Sequence, residues 1–384
     1  MPAVLPGALQ AAGVASPPIR LSTPPGPRYG WGVLHSLRLQ NFRCFESLAL
    51  EVPAAGVVLV GANAQGKTSV LEALCMLIRL QSPRARRLAT LTRLGAADFG
   101  VAGNPWGQER QVRHGSAGLA LKVDGSARAG QASYLNDGGL VVWMGNEDLE
   151  LVRGPGEVRR RYLDFLGTQL DPGYRRAWSR YQRALRAKNL LLKEGRPRDA
   201  EILSYEEILV ENGSLLMTVR ARMVAELSPL AAAIQQRVSG RDEPLTLHYL
   251  PASGPDLREA ILQARERELR QRQAVVGPHR DDLGLRLHGS PASDFASEGQ
   301  QRTLALALKL AQGALLEQRA GKPPLYLIDD VFGELDPARR NALMAQLPAT
   351  AQKWITATHL DWLRDTPELA ALSRRRVADG TVTG

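Results

Sequence analysis

The chain has 384 residues, a formal net charge of +10 and 44% hydrophobic residues. This length is sufficient for one large α/β domain with a second lobe, and the positive charge favours an anionic partner. No apolar run approaches the roughly 20 residues that a membrane-spanning helix requires, so a role in transport would need a separate membrane subunit.

The first part of the chain predicts an extension followed by strands. Residues 1–33 contain seven prolines and no hydrophobic periodicity, so we expect a disordered extension. Alternating apolar and polar residues predict strands in VLHSLRLQNF (33–42) and SLALEV (47–52). Residues 95–142 are rich in glycine and contain short alternating segments, which predicts a meander of antiparallel strands.

A phosphate-binding loop is predicted by the stretch VVLVGANAQGKTSVL (57–71). An apolar strand precedes a match to G-x-x-x-x-G-K-[ST], and apolar residues at helical spacing follow it, which is the context that this motif needs. The two glycines allow backbone N–H groups to approach phosphate oxygens, the lysine can reach the β- and γ-phosphates, and the threonine can ligate Mg²⁺. The predicted nucleotide contacts are Gly61, Ala62, Asn63, Ala64, Gln65, Gly66, Lys67, Thr68 and Ser69.

The middle of the chain predicts a basic helical lobe. Residues 157–239 have apolar residues at helical spacing, with a break at Arg196-Pro197-Arg198, and so predict a pair of long helices. Residues 153–198 carry 13 Lys/Arg against 4 Asp/Glu, and residues 79–93 carry five arginines and no acid. A merely solvated surface would interleave both signs, so we favour a nucleic-acid surface. The predicted DNA contacts are Arg84, Arg86, Arg87, Arg175, Arg176, Arg180 and Arg183.

The start of a helix near the C-terminal end of the chain offers a second candidate phosphate contact. In FASEGQQRTLALALKLAQGALLEQ (295–318), Ser297 and Gln300 have the spacing of a capping box. A helix N-terminus of this kind can also present Ser297 and backbone N–H groups to a γ-phosphate. The sequence is compatible with both roles.

An apolar strand that ends in acid predicts the Mg²⁺ side of the site. LYLI (325–328) leads into Asp329 and Asp330, and carboxylates at such a strand end point into the ligand crevice of α/β sheets. One of these aspartates would hold Mg²⁺, and the other would orient the attacking water.

Other polar residues allow a structural or a functional role equally. Asp336 precedes Pro337 and is a good helix cap. The strand predicted in WITATHL (354–360) ends at His359, which would be structural or would sense the γ-phosphate. VVGPHRDDL (275–283) contains a polar cluster that would be a satisfied surface loop or part of a site.

These pieces, in this order, resemble the ABC-type ATPases and in particular the RecF family of bacterial recombination mediators. The resemblance rests on GANAQGKT, SEGQQRTLALALKLA, LIDDVFGELD and THL, and on RGPGEVRRRYLD (153–164) and VGPHRDDL (276–283), which lie outside the shared ABC core. It implies an α/β fold: an ABC-type P-loop ATPase head with a mixed sheet, plus a second, largely helical lobe. The head would comprise residues 34–152 and 275–384, and the basic lobe residues 153–274.

The resemblance also implies roles for individual residues. Lys67 would bind phosphate, Thr68 and Asp329 would hold Mg²⁺, and Asp330 and His359 would act in hydrolysis. The residues implied to act on the nucleotide of a partner subunit, or in the dimer contact beside it, are Ser297, Gly299, Gln300 and Asp336.

The implied function is a slow, DNA-stimulated ATPase of recombinational DNA repair that uses ATP and Mg²⁺. ATP would drive formation of a homodimer that clamps double-stranded or gapped DNA and helps RecO and RecR to load RecA. Cys44 and Cys75 lie in apolar surroundings without metal-ligand spacing, which predicts packed free thiols in a reducing compartment. The expected location is therefore the cytoplasm, and the resemblance implies association with the nucleoid.

Departures from the wider ABC pattern keep alternatives open. SEGQQ has an acid where transporters have glycine, and Asp330 stands where they place a catalytic glutamate. No Q-loop glutamine is recognisable, and the corresponding segment (145–152) offers Asn146, Glu147 and Asp148. The alternatives are the nucleotide-binding subunit of a transporter, a P-loop kinase or GTPase-like enzyme, and a DNA scaffold that binds ATP without hydrolysing it.

Overall fold

The computed structural model describes residues 33–136, 138–194, 199–359 and 369–384, apart from the side chain of Glu334. The strands in these ranges are β1 (Leu34–Phe42), β2 (Phe45–Glu51), β3 (Gly56–Val60), β4 (Phe99–Pro105), β5 (Arg110–Gly115), β6 (Gly118–Val123), β7 (Ser126–Ala127), β8 (Val141–Gly145), β9 (Leu245–Leu250), β10 (Asp282–Leu287), β11 (Ser290–Pro291), β12 (Leu325–Asp329), β13 (Lys353–Ala357), β14 (Ser373–Ala378) and β15 (Thr381–Thr383). The helices are α1 (Lys67–Arg79), α2 (Gln131–Asn136), α3 (Glu150–Arg153), α4 (Gly156–Leu170), α5 (Pro172–Lys193), α6 (Asp199–Ser239), α7 (Leu257–Gln271), α8 (Ala292–Phe295), α9 (Glu298–Ala320) and α10 (Pro337–Met344).

A mixed sheet with the order β15-β14-β3-β13-β12-β8 forms the centre of the molecule. Strands β14, β3, β13, β12 and β8 are parallel, and β15 is antiparallel to β14. The interior strands are short apolar runs because both faces of the sheet are covered. Since the carboxyl ends of parallel strands meet at one edge, the loops after β3, β8, β12 and β13 converge there.

Helix α1 lies between this sheet and an antiparallel sheet with the order β2-β1-β4-β5-β6-β7. Its residues from Val70 to Arg79 are all buried, which explains why the helix is apolar on most sides, and its charged residues Glu72 and Arg79 have hydrogen-bond partners. The phosphate-binding loop is therefore anchored on a helix that has neighbours on every side.

The opposite face of the central sheet packs against α4, α9, α10 and the C-terminal half of α6. A smaller antiparallel sheet, β11-β10-β9, closes this second core. A third core joins α5, α7 and the N-terminal half of α6. The 41-residue helix α6 therefore contributes to two cores.

The predicted strands, the meander and the long helices are confirmed in the described ranges, and some details are corrected. Strand β13 ends at Ala357, so His359 is an exposed residue two positions beyond it. Cys44 is exposed, so the prediction of a packed thiol is wrong there. The predicted extension, except residue 33, and the helix break at 196–198 lie outside the described residues. Within the described ranges, no helix combines the length and the apolarity needed to cross a bilayer.

Candidate active site

The phosphate-binding loop connects β3 to α1 through a left-handed backbone. Gly66 has φ 104° and Ala64 has φ 64°. A Cβ at Gly66 would lie 2.5 Å from Cys44 Sγ, so glycine is required there for both its conformation and its size. Because α1 begins at Lys67, the unpaired N–H groups of its first turn open towards the space beside the loop.

Lys67 holds the loop through two backbone carbonyls. Its Nζ donates to Gly61 O at 2.6 Å and to Ala62 O at 2.9 Å. Burial lowers the pKa of Lys67, and the nearby charges of Asp330 and Asp329 oppose that shift. The ammonium group is thus next to the loop and can exchange carbonyl oxygens for phosphate oxygens.

Asp329 lies at the end of β12 and faces the loop. Its Oδ1 accepts hydrogen bonds from Thr68 Oγ1 and Thr356 Oγ1, each at 2.8 Å. Burial raises the pKa of Asp329, against the effect of these two hydrogen bonds. A half-buried carboxylate beside a hydroxyl is a hard-oxygen donor pair, and such a pair fits Mg²⁺ that takes its remaining ligands from water and phosphate.

Asp330 has an unusual backbone conformation. Its φ is 54°, and its N–H donates to Thr356 Oγ1 at 2.9 Å. Aspartate tolerates this region better than bulky residues do. Thr356 therefore holds both aspartates, a role that the sequence analysis missed, although parallel neighbours β12 and β13 must end at the same edge.

A cavity of about 640 Å³ opens beside these groups, which is within the usual range for a small-molecule site. Its lining combines the phosphate-binding loop and the acidic strand end with a wall formed by residues of two other segments, 43–44 and 84–92. The lining residues are Arg43, Cys44, Asn63, Ala64, Gln65, Gly66, Lys67, Thr68, Ser69, Arg84, Thr90, Thr92, Asp329 and Asp330.

The far wall of the cavity is organised by Glu72, a buried residue of α1 that the sequence analysis also missed. Arg43 Nε and Nη2 donate to its two carboxylate oxygens at 2.9 and 2.7 Å, and Ser82 Oγ donates to Oε1 at 2.5 Å. Ser82 Oγ in turn accepts from the backbone N–H of Arg84 at 3.1 Å. One carboxylate thus links the helix to both wall segments.

The SEGQQ residues (297–301), which we call the signature, lie outside this cavity. Ser297 is the exposed N-cap of α9, and the predicted capping box is confirmed: Gln300 N donates to Ser297 Oγ at 3.3 Å, and Ser297 N donates to Gln300 Oε1 at 2.9 Å. Asp336 caps α10 through Arg339 N at 2.9 Å. A Cβ at Gly299 would lie 2.8 Å from Arg339 Nη1, so the two helix starts are adjacent.

The described structure therefore divides the predicted site residues into two groups. Loop residues 63–69 and the two aspartates share one cavity, and the carbonyls of Gly61 and Ala62, which hold Lys67, lie outside its lining. The other predicted nucleotide-site residues outside its lining are Ser297, Gly299, Gln300, Asp336 and His359.

The segment after β8, where a Q-loop would lie, is held in place by side-chain contacts of Asp148 and Glu147. Asp148 is buried, accepts from Gly145 N at 2.9 Å and pairs with Lys309 of α9 at 3.0 Å. Burial raises the pKa of Asp148, and the charge of Lys309 counteracts the shift. Glu147 is exposed and accepts from Trp143 Nε1 at 2.7 Å. Asp148 is thus a structural partner of the signature helix.

The predicted DNA contacts of α5 differ in exposure. Arg176, Arg180 and Arg183 are exposed, and their spacing of four and three residues puts them on one face of the helix. Arg175 is half-buried and donates to Asn136 Oδ1 at 2.6 Å.

The three predicted DNA contacts after α1 differ in what lies beside them. Arg86 and Arg87 are exposed, and Arg86 lies 3.8 Å from Glu157. Arg84 lines the nucleotide cavity. A phosphate of a nucleotide is therefore an alternative to DNA as the anion beside Arg84.

The two motifs outside the ABC core fold against each other. Arg159 Nε and Nη2 donate to the carboxylate of Asp282 at 2.7 and 2.8 Å, and Arg160 Nη1 donates to Asp281 O at 2.8 Å. Asp281 is fully buried. The polar cluster is therefore satisfied, and its member Asp281 belongs to the interior, whereas Arg280 is exposed.

Arg220 of α6 lies at the centre of this cluster. It donates to Asp164 Oδ1 at 2.7 Å, Asp281 Oδ2 at 3.2 Å, Pro278 O at 2.7 Å and Tyr174 Oη at 3.0 Å. Buried charges need such pairing, so the cluster joins α4, α5, α6 and the segment before β10.

Comparisons with known proteins agree with this architecture. A family model described as an AAA domain matches residues 36–116. The DNA replication and repair protein RecF of Synechococcus sp. (strain JA-2-3B'a(2-13)) is 38% identical over 358 residues, an alignment that covers 85% of this chain and 91% of the relative. A solved structure of the recombination mediator protein RecF-ATPrS in the RecFOR pathway has a TM-score of 0.83 at 26% identity and covers 93% of this chain and 99% of that chain.

A solved Smc head domain from Pyrococcus furiosus has a TM-score of 0.53 at 16% identity and covers 91% of this chain and 95% of that chain, which is a likeness of fold. The predicted α/β ABC-type ATPase head with a mixed sheet is confirmed. The chain therefore belongs to the RecF family of DNA replication and repair proteins.

Proposed function

We propose that the chain is an ATP-dependent, DNA-binding ATPase of recombinational DNA repair that works as a homodimer. The observation that carries the proposal is the separation of the site into two halves. The phosphate-binding loop and the acidic strand end line one cavity, whereas the capped serine Ser297 is exposed outside it. Two copies placed head to tail would bring each serine to the nucleotide of the other.

In this proposal the residues of the cavity bind and orient ATP. Lys67 and the N–H groups at the start of α1 bind the phosphates, and Asp330 orients the attacking water. Thr68 and Asp329 would hold Mg²⁺, which when bound neutralises charge on the phosphates. Among the described residues no cluster of three His, Cys, Asp or Glu side chains could hold a metal ion, so phosphate oxygens and water would supply the remaining ligands.

The closed dimer would clamp DNA, and hydrolysis would release it. ATP shifts the equilibrium only by its higher affinity for the closed state, so loss of the γ-phosphate opens the dimer. Turnover would be slow and stimulated by DNA, because half of each site comes from the partner. The exposed arginines of α5 support a DNA surface, and His359 would sense the γ-phosphate.

The biological setting is proposed from the family. Relatives named as DNA replication and repair proteins, and a structure named as a recombination mediator of the RecFOR pathway, support a role in DNA repair. We place this role in the cytoplasm, in association with the nucleoid, with RecO and RecR as partners in loading RecA. The division into a head (34–152 and 275–384) and a basic lobe (153–274) is part of this proposal. Family membership argues against the transporter and the kinase or GTPase-like alternatives, whereas Asp330 in place of glutamate keeps the non-hydrolysing scaffold as a second candidate.

The test measures ATP hydrolysis per monomer against protein concentration, with and without short duplex DNA. The Lys67→Ala variant, which lacks the ammonium group that binds phosphate, provides the blank. We expect a per-monomer rate that rises with protein concentration and again with DNA. A rate independent of both would contradict the composite site, and ATP binding without hydrolysis would favour the scaffold.

A further inference from the structure

A buried carboxylate connects the long helix α6 to the signature serine. Glu243 lies in the turn between α6 and β9 and is 6% exposed. Its Oε1 accepts from Gln300 Nε2 at 3.0 Å, and its Oε2 accepts from Gln235 Nε2 at 2.9 Å. Gln235, near the end of α6, is fully buried.

Gln300 uses both ends of its side-chain amide. Its Nε2 donates to Glu243, and its Oε1 accepts from the backbone N–H of Ser297 at 2.9 Å. An amide whose donor and acceptor are both engaged has one defined orientation, so Glu243 determines how Gln300 holds the cap. A continuous hydrogen-bonded path therefore joins Gln235, Glu243, Gln300 and Ser297.

The helix that carries Gln235 also contacts the basic helix α5. The N-terminal half of α6 packs on α5, the helix that carries the exposed stripe Arg176, Arg180 and Arg183. Its C-terminal half packs along α9. Helix α6 is continuous over 41 residues, with Pro229 in its interior, and so links α5 to the turn that holds Glu243.

We propose that Glu243 is a positioning residue that couples the basic helical lobe to the signature serine, so that DNA on α5 controls how Ser297 meets the nucleotide of the partner. The inference rests on the composite site proposed above, and it adds the route by which DNA regulates that site. Glu243 does not touch the nucleotide cavity itself, so it acts on dimer closure and not on the first binding of ATP.

The test compares the wild type with Glu243→Gln. A glutamine at this position can accept from Gln235 or Gln300 but not from both, since its second head atom is a donor. We expect unchanged ATP affinity of the monomer, weaker ATP-dependent dimerisation, and a roughly 2- to 30-fold loss of DNA-stimulated turnover. Equal dimerisation and equal DNA stimulation in both proteins would overturn the proposal.

A reciprocal exchange separates positioning from a general loss of stability. In Glu243→Gln/Gln300→Glu, the new glutamine accepts from Gln235 and donates to the new carboxylate, which still accepts from Ser297 N–H. Glutamate is also a favoured partner in a capping box. We expect the double variant to recover DNA stimulation, and a double variant no better than the single one would overturn the assignment to these hydrogen bonds.

Glu268→Gln is the matched control. Glu268 is a comparably buried carboxylate of α7, outside the proposed path, and its partner Lys188 retains Glu206 at 3.0 Å. We expect this variant to keep wild-type DNA stimulation, and an equal loss would indicate a non-specific effect. If the wild type itself lacks dependence on concentration and DNA, the composite site fails. If the wild type shows both dependences and Glu243→Gln behaves like the wild type, the composite site stands and only the proposed coupling is rejected.

Discussion

At the scale of single residues, His279 is a half-buried base whose protonation opposes folding. Its Nδ1 is 2.7 Å from Tyr181 Oη, and its Nε2 is 3.2 Å from Ala274 O. Since a carbonyl can only accept, we assign the proton of the neutral ring to Nε2 and the acceptor role to Nδ1. Burial lowers the pKa of His279 from 6.5 to about 4, against the effect of the hydrogen bond to Ala274.

We predict that this histidine makes stability decrease in mild acid. Between pH 6.5 and about 4, the unfolded chain takes up a proton that the folded chain does not, so stability is complete above this window and falls as the pH decreases through it. The shift corresponds to about 3 kcal/mol. Urea unfolding of the wild type and His279→Gln across the window measures it, and the variant should show the flatter pH dependence. Parallel curves would show that His279 does not contribute.

At the scale of elements, α5 separates its charges from its apolar face. Its buried side includes Tyr174, Tyr181 and Leu185, which recur at helical spacing and pack on α6. The opposite side carries the three exposed arginines. A stripe of one sign on a helix that is held by its other face is suited to follow a phosphate backbone.

We predict that the triple variant Arg176→Ala/Arg180→Ala/Arg183→Ala weakens DNA binding and reduces the slope of log affinity against log salt by about 3. The matched control removes three exposed arginines around the end of α7, Arg267, Arg270 and Arg272, and so changes the net charge equally. Affinity measured over a range of salt concentrations should change much less in the control. Equal slopes in the two variants would mean that net charge, and not the α5 stripe, determines the affinity.

At the scale of the whole molecule, Arg220 joins the cores. Its helix, α6, contributes both to the core under the central sheet and to the core that it forms with α5 and α7. Its guanidinium pairs with Asp164 and Asp281. Removing the cation takes the counter-charge from the buried carboxylate of Asp281 and from the half-buried carboxylate of Asp164.

We predict that Arg220→Met lowers the free energy of unfolding by about 3–5 kcal/mol, because a lost partner of a buried ion pair is costly. Arg222→Met, two positions away and exposed, should change it by less than about 0.5 kcal/mol. Urea unfolding followed by circular dichroism measures both. Similar stabilities of the two variants would contradict the role of Arg220 as the centre of the cluster.

Local sequence patterns were sufficient to predict most of the strands and helices. The capping box at Ser297 and Gln300 was readable because it depends on residues three apart, and β3 because a covered parallel strand is an apolar run. The roles of Thr356 and Glu72 were not readable, because each contacts side chains that are distant in sequence. Arg84 was assigned by the charge of its neighbours, which carries no information about the cavity that it lines.

By itself, the sequence determined the elements, the phosphate-binding loop, the acidic strand end and the family resemblance, since these depend on short-range periodicity and on motifs of fixed spacing. Only the tertiary structure decided which groups meet. It buried Asp281 and Asp148 in ion pairs, separated Ser297 from the cavity of Lys67, and tied Glu243 to the signature helix. The physical reason is that hydrogen bonds and ion pairs between distant segments depend on sheet order and helix packing, which composition and periodicity do not encode.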